Sequence, residues 1–309
     1  MSTLVQMSQP FAPTPSQLAV AYSVCRGITR SRAKNFYYGF LVLPKRKRRA
    51  LCAVYAFMRR CDDIADNPSL PMRERRQKLD AWLNEFHAAQ AGHPTDDPIL
   101  IALTDAQRRF GIPAGLLDAL AFGTAMDVDE SQEQPDTPGL QVQYGSFEDL
   151  QRYCYNVASV VGLVCIRIFG YNTAEAEPLA ERCGLAFQLT NIIRDIKEDA
   201  ALGRVYLPGK DLAEFGISAT DIASIDPARI RPLLELESQR AFENYKAAEE
   251  LIPLIDEDSQ PALWVLVTIY RGLLEKIVRL NYDVFTRKVS LSVWEKLRIL
   301  SQGLLQRIL

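Results

Sequence analysis

Apolar residues recur at three- and four-residue spacing along almost the whole of this 309-residue chain, and nowhere does a sustained apolar–polar alternation suggest a strand. Prolines and capping residues cut that helical pattern into segments. Pro44 precedes a long segment reaching Asp66, and Pro71 lies near the start of another that runs to about residue 91. Asp97-Pro98 reads as an N-cap followed by proline at the first helical position. Ser146-Phe-Glu-Asp149 has the form of a capping box opening a helix to about Phe169. Thr173 is placed to cap the next, to about residue 200, and Asp226-Pro227 precedes a further long one. Residues 260–284 and 291–308 also follow helical spacing, and Arg204-Val-Tyr-Leu-Pro208 is the only short extended stretch. With no repeat of fixed period and no evident linker, the expected fold is all-α: one domain over residues 15–309 behind a loose Pro- and Ser-rich arm at 1–14.

The composition is that of a globular protein, 48% hydrophobic and 24% charged with a net charge of −2, which gives no reason to expect nucleic acid as a partner. No apolar run is expected to reach the roughly 20 residues of a membrane span. The first residues lack a basic segment followed by an apolar one, so a cytoplasmic protein is expected. None of the six cysteines (Cys25, Cys52, Cys61, Cys154, Cys165, Cys183) forms a C-x-x-C pair, and only His87 and His93 are there to help bind zinc. Reduced, helix-buried thiols are the expectation. The histidine shortage also argues against triad or imidazole acid–base chemistry.

Charge is unevenly spread. Residues 1–61 hold eleven Lys or Arg and no Asp or Glu, and five of the cations are consecutive, Lys45 to Arg49. This block reads either as a solvated helix start or as a basic surface for diphosphate or anionic lipid.

Acidic residues then appear in two constellations. In Tyr55-Ala-Phe-Met-Arg59-Arg-Cys-Asp62-Asp63-Ile-Ala-Asp66, positions 55, 59, 62 and 66 share one helical stripe, flanked by Asp63. In Gln188-Leu-Thr-Asn191-Ile-Ile-Arg194-Asp195-Ile-Lys-Glu198-Asp199, the residues Asn191, Asp195 and Asp199 share another, with Gln188 a turn earlier. Like charges at this spacing destabilise a helix by a few tenths of a kcal/mol. Apolar neighbours would also raise the carboxyl pKa values unless a cation neutralises them. Magnesium suits the pattern: it takes oxygen ligands, stays partly hydrated, and binds a few carboxylates together with substrate phosphate oxygens.

The two motifs together resemble the squalene/phytoene synthase family of head-to-head prenyl transferases. The resemblance runs from about Tyr22 to about Leu291. It also rests on Phe36-Tyr-Tyr-Gly-Phe40-Leu-Val-Leu-Pro44, Tyr153-Cys-Tyr-Asn-Val-Ala-Ser-Val-Val-Gly162, Gly203-Arg204-Val-Tyr206-Leu-Pro208 and Asn281-Tyr-Asp-Val-Phe285. One departure is visible. Where many members have a Ser-x-Ser-Phe run, this chain has Ala33-Lys34-Asn35-Phe36, leaving Asn35 as the donor in place of a hydroxyl.

The resemblance implies an isoprenoid-synthase-type helical bundle around a central cavity, in which two allylic diphosphates condense to a cyclopropylcarbinyl diphosphate. It implies Mg²⁺ on Asp62, Asp66, Asn191, Asp195 and Asp199, with Asp63 in support, and diphosphate contacts from Arg59, Arg194, Arg204 and Arg279. Gln188, Tyr55, Tyr206 and Tyr245 fall at matching positions, and Phe36, Phe40 and Phe187 are expected beside the carbocation or in ordinary core packing. Gly162 reads as close helix packing. No nucleotide fingerprint is present, so NADPH is not expected for the first half-reaction. The first-choice product is presqualene diphosphate from two farnesyl diphosphates, of the squalene and hopanoid branch. The alternatives are phytoene from two geranylgeranyl diphosphates, of the carotenoid branch, or full synthesis of squalene or dehydrosqualene. A terpene cyclase usually has an Asn-Asp…Ser…Glu second motif, which is not the pattern here, and a catalytically dead helical assembly protein would have no need of every acidic position. The expected protein is cytoplasmic and touches the inner membrane face peripherally, where its lipid substrates and products reside.

Overall fold

The computed structural model describes residues 11–33, 35–67, 69–125 and 141–306, and these residues are helical nearly throughout. By Cα packing the chain divides into two compact units, one within Met1–Lys34 and Lys45–Gln132, the other within Asn35–Pro44 and Glu133–Leu309. No linker marks the division, because the segment 35–44 belongs to the second unit although the first resumes at Lys45.

The first unit contains α1 (Pro15–Arg32), α3 (Lys45–Ala65), α4 (Met72–Gln90), α5 (Pro98–Phe110) and α6 (Ala114–Ala125), with α2 (Phe36–Val42) intervening in the chain. Thr14 and Gln17 form a capping box that starts α1. Of the arm expected at 1–14, residues 1–10 lie outside the described residues; Phe11 is tied down, its N–H donating to the Gly92 carbonyl at 2.8 Å. Asp97 caps α5 as expected, its Oδ1 accepting from Ile99 N–H at 2.7 Å and Leu100 N–H at 3.2 Å. The buried faces of α1, α3 and α5 meet through small residues such as Ala21, Cys25, Ala50, Cys52 and Ala53, while Phe57 packs on Phe86 with ring centroids 4.7 Å apart.

The second unit contains α2, then α7 (Phe147–Cys154), α8 (Val160–Phe169), α9 (Ala176–Ala201), α10 (Gly209–Glu214), α11 (Pro227–Leu251), α12 (Gln260–Arg279) and α13 (Val293–Gln306). The extended stretch expected at 204–208 supplies β2 (Arg204–Val205), which pairs in parallel with β1 (Gln141–Val142). The helix expected from Ser146 to Phe169 is broken by a π-helical turn at Tyr155–Ser159. That turn lies against α9, where glycine alone fits: a Cβ on Gly184 would stand 2.6 Å from the Ala158 carbonyl oxygen. Gly162 makes the close packing expected of it, its hypothetical Cβ 2.7 Å from the Ala180 carbonyl oxygen.

One composition expectation and two helix boundaries differ from the sequence reading. Residues 147–169 do reach the length and mean hydropathy of a membrane span, and half of that window is buried. Thr173 is not the cap of α9. The helix starts at Ala176 with Glu175 at the N-cap position, and the Thr173 hydroxyl accepts only from Glu175 N–H at 3.4 Å. α12 stops at Arg279 instead of reaching 284, because Asn281 and Tyr282 take left-handed backbone conformations, φ 51° and 61°. Asn tolerates that region and Tyr does so at a cost, here offset by burial of the Tyr282 ring.

The six cysteines are free thiols and five of them are buried. Burial pushes Cys25, Cys61, Cys165 and Cys183 up to about 12, so they stay protonated and inert.

Candidate active site

The first acidic stripe occupies the C-terminal turns of α3. Tyr55, Arg59 and Asp62 are half-buried, while Asp63 and Asp66 are exposed. Asp66 lies one residue past the helix, but its N–H still bonds the Asp62 carbonyl at 2.8 Å, so the four-residue rhythm continues. Arg59 pairs with Asp63. Burial raises the Tyr55 phenol pKa, with Arg59 pulling it down and Asp62 pushing it up, so these side chains sense one another as the stripe requires. Arg75, which spacing gave no reason to single out, anchors the end of α3: it donates to the Ala65 carbonyl at 3.3 Å and the Leu70 carbonyl at 2.8 Å.

In the second unit, Gln188, Asn191, Arg194, Asp195 and Asp199 are all half-buried along α9. Asn191 Nδ2 lies 3.4 Å from Gln188 Oε1, and Arg194 forks onto the Asp195 carboxylate with Nε–Oδ1 at 2.8 Å. Burial alone would raise the Asp195 carboxyl, but Arg194 and then Lys288 hold it below the usual range. Asp199 goes the other way. Burial first and the Asp195 charge second push it up to about 7, with Arg204 and Lys288 opposing.

Lys288 escaped the sequence reading. Its Nζ lies 2.9 Å from Asp195 Oδ1 and 3.0 Å from Glu198 Oε1. It follows the left-handed turn after α12, and no helical periodicity reaches it there. Tyr270 was missed too. It joins the expected aromatics into a row: Phe40 and Phe36 at 6.4 Å, Phe36 and Tyr270 at 5.4 Å, Tyr270 and Phe187 stacked at 4.4 Å. Tyr206 stacks on Tyr153 at 5.4 Å, and Tyr144 completes that trio. The trio joins two of the motif runs and could have been suspected from them.

Four other expected positions are placed as follows. Tyr245 is a core residue, 1% exposed, whose hydroxyl shares a 2.8 Å hydrogen bond with Thr190 between α9 and α11. Arg279 is exposed at the end of α12, and Phe40 is buried, as the core-packing reading of that ring expects. Asn35 sits at the N-cap position of α2, and its side chain makes no capping bond.

Among the described residues, no three His, Cys, Asp or Glu side chains gather into a ready-made metal cage. The donor chemistry still fits a hard, hydrated cation. Both stripes end their helices, where the helix dipole is negative and where neither α3 nor α9 carries a basic residue in its last turn. The carboxyl of Asp199, raised to about 7 by burial and by the Asp195 charge, is one that an added cation would favour in its ionised form.

The model of the squalene/phytoene synthase family matches residues 29–295. The chain belongs to that family. It is therefore a prenyl transferase, and its all-α fold is that of the isoprenoid synthases. It is 34% identical to the phytoene synthase of Arthrospira platensis over 315 residues, covering 96% of this chain and 97% of that one. It is 34% identical over 304 residues to the 15-cis-phytoene synthase of Synechococcus elongatus, with 94% of each chain covered. A dehydrosqualene synthase superposes with a TM-score of 0.81 at 30% identity over 93% of this chain and 96% of its own. The squalene synthase HpnC of Alicyclobacillus acidocaldarius superposes with a TM-score of 0.75, also at 30% identity, over 87% of this chain and 97% of its own.

Proposed function

We propose that the protein condenses two geranylgeranyl diphosphates head to head to give phytoene. The observation that carries this reading is the 34% identity, over nearly the full length of both chains, to proteins named phytoene synthases. It reverses the order of products expected from the sequence motifs, where presqualene diphosphate came first. That second reading keeps one support, the 30% identity to the squalene synthase HpnC.

In this reading Asp62, Asp66, Asn191, Asp195 and Asp199 hold Mg²⁺, with Asp63 keeping Arg59 in place. Bound magnesium supplies Lewis-acid stabilisation of the leaving diphosphate. Arg59, Arg194, Arg204 and Lys288 bind diphosphate oxygens, Arg194 exchanging its present partner Asp195 for the substrate. The half-buried rings of Phe36 and Phe187 face the prenyl chain and keep water from the cation. Gln188 and Tyr206 orient the diphosphate.

We also place the protein in the cytoplasm, touching the inner membrane face. The outer side of α13 supports this: Val293, Trp294, Leu297, Leu304 and Leu305 are exposed, Trp294 to 81%. An apolar helix face with an exposed tryptophan suits a lipid interface.

Product analysis tests the reading. The purified protein with Mg²⁺ should consume geranylgeranyl diphosphate and yield phytoene without NADPH, and a chelator should stop it. Turnover of farnesyl diphosphate alone, giving presqualene alcohol after phosphatase treatment, would transfer the assignment to the second reading. Squalene on addition of NADPH would identify a full squalene synthase.

A further inference from the structure

Three helices of the first unit converge on a cavity of about 440 Å³. α3 contributes Lys45, Arg46 and Arg49, α5 contributes Arg109, and α1 supplies a wall from Pro15 through Leu18 to Tyr22. Asp62 is thirteen steps along α3 from Arg49, about 20 Å at the helical rise, so this cavity is remote from the acidic stripe of the same unit.

The charges here are out of balance. Lys45 and Arg46 stand at the positive end of a helix whose first turn holds no acidic residue. The buried Asp105, beside Arg109, is already engaged. It accepts from the Tyr22 hydroxyl at 2.7 Å and from Arg109 Nε at 2.6 Å. Among the described residues no ion pair involves Lys45, Arg46 or Arg49. Two of these cations rest on rings instead, Arg46 6.0 Å from the Phe110 centroid and Arg49 5.8 Å from that of Tyr22. Such stacking fixes a guanidinium through its face and leaves its N–H donors to an anion. The block is also no uniformly solvated face, since Lys47 within it is 5% exposed.

We propose that this cavity is an anion site separate from the acidic stripes, taking a phosphate-bearing amphiphile whose oxygens meet Lys45, Arg46 and Arg49 and whose apolar part lies against Pro15 and Leu18. The phosphate can come from a soluble prenyl diphosphate or from the headgroup of an anionic phospholipid. Residues 1–10 carry no acidic side chain.

The test compares the wild-type protein with Arg46→Gln/Arg49→Gln, which removes both charges and keeps a polar side chain at each position. Two probes are used: inorganic diphosphate by calorimetry in chelator, and phosphatidylcholine vesicles with and without phosphatidylglycerol by sedimentation. At least one affinity should fall about tenfold or more in the variant, and the effect should shrink as salt rises. A loss confined to diphosphate assigns the soluble source, a loss confined to phosphatidylglycerol vesicles assigns the lipid, and a loss of both assigns their shared phosphate chemistry. Equal binding of both probes by the two proteins overturns the proposal. Should the double variant unfold, Lys45→Gln, at an exposed position, takes its place: a loss of a few-fold is then expected, and equal binding again overturns the proposal.

Discussion

In the first unit an acidic stripe closes α3 with two of its three aspartates exposed and one arginine, Arg59, paired beside it. In the second unit a stripe of matching spacing nears the end of α9 with every member half-buried and with Arg194, Lys288 and Arg204 acting on it. Spacing alone makes the two look equivalent. Burial makes them different, because an aspartate desolvated beside another aspartate carries an electrostatic cost that an exposed one does not. The second stripe is the one whose ionisation depends on cations arriving, from the chain or from solution.

The strongest challenge to this comparison is to neutralise each stripe in turn. Asp62→Asn and Asp195→Asn are each expected to lower kcat by about a hundredfold or more, the scale for losing one electrostatic contact to a transition state. Circular dichroism should show an unchanged fold. If the two stripes serve one reaction, as proposed, the double variant should lose much less than the product of the two single effects. Multiplicative losses would show two independent sites, and wild-type turnover in either single variant would remove that stripe from the chemistry.

A smaller effect separates the stripes by pH. Asp199 is held at about 7 in the folded protein, above its ordinary value of 3.8, so its ionised form disfavours folding. Stability tied to this carboxyl is full below pH 3.8 and is lost as pH rises through about 7. In chelator, Asp199→Asn should therefore melt above the wild type at pH 8. After discounting for partial exposure, about 1 kcal/mol is expected, or a few degrees. The gap should narrow steadily toward pH 4, and equal melting temperatures at pH 8 would erase the contrast in burial.

The smallest effect concerns the end of α3. Arg75→Ala removes two hydrogen bonds from a guanidinium to carbonyls at the close of the first stripe. It should cost about 1 kcal/mol and speed amide exchange over residues 62–70, leaving the exchange of α9 as it was. Faster exchange in both helices would mean that the two stripes are not separately anchored.

Most of the helices, their prolines and the caps at Asp97, Ser146 and Asp226 were legible in the sequence, because a helix end is a local matter of one side chain and the next few amides. The stripes were legible for the same reason, since a period of 3.6 residues decides which side chains share a face. The interleaved units, the π-helical turn lodged over Gly184 and the left-handed turn that halts α12 were not. Each exists because distant segments pack, and packing leaves no mark at short range in the sequence. The same holds within the site. Asp195 and Asp199 could be named from their spacing, but Lys288 reaches Asp195 from 93 residues away. Tyr245, which matched a family position as well as Tyr206 did, is carried into the core against Thr190. Sequence determined which chemical groups line each helix, because the helical period is local. Tertiary structure decided which of those groups are desolvated and which are paired, because burial and charge act through space.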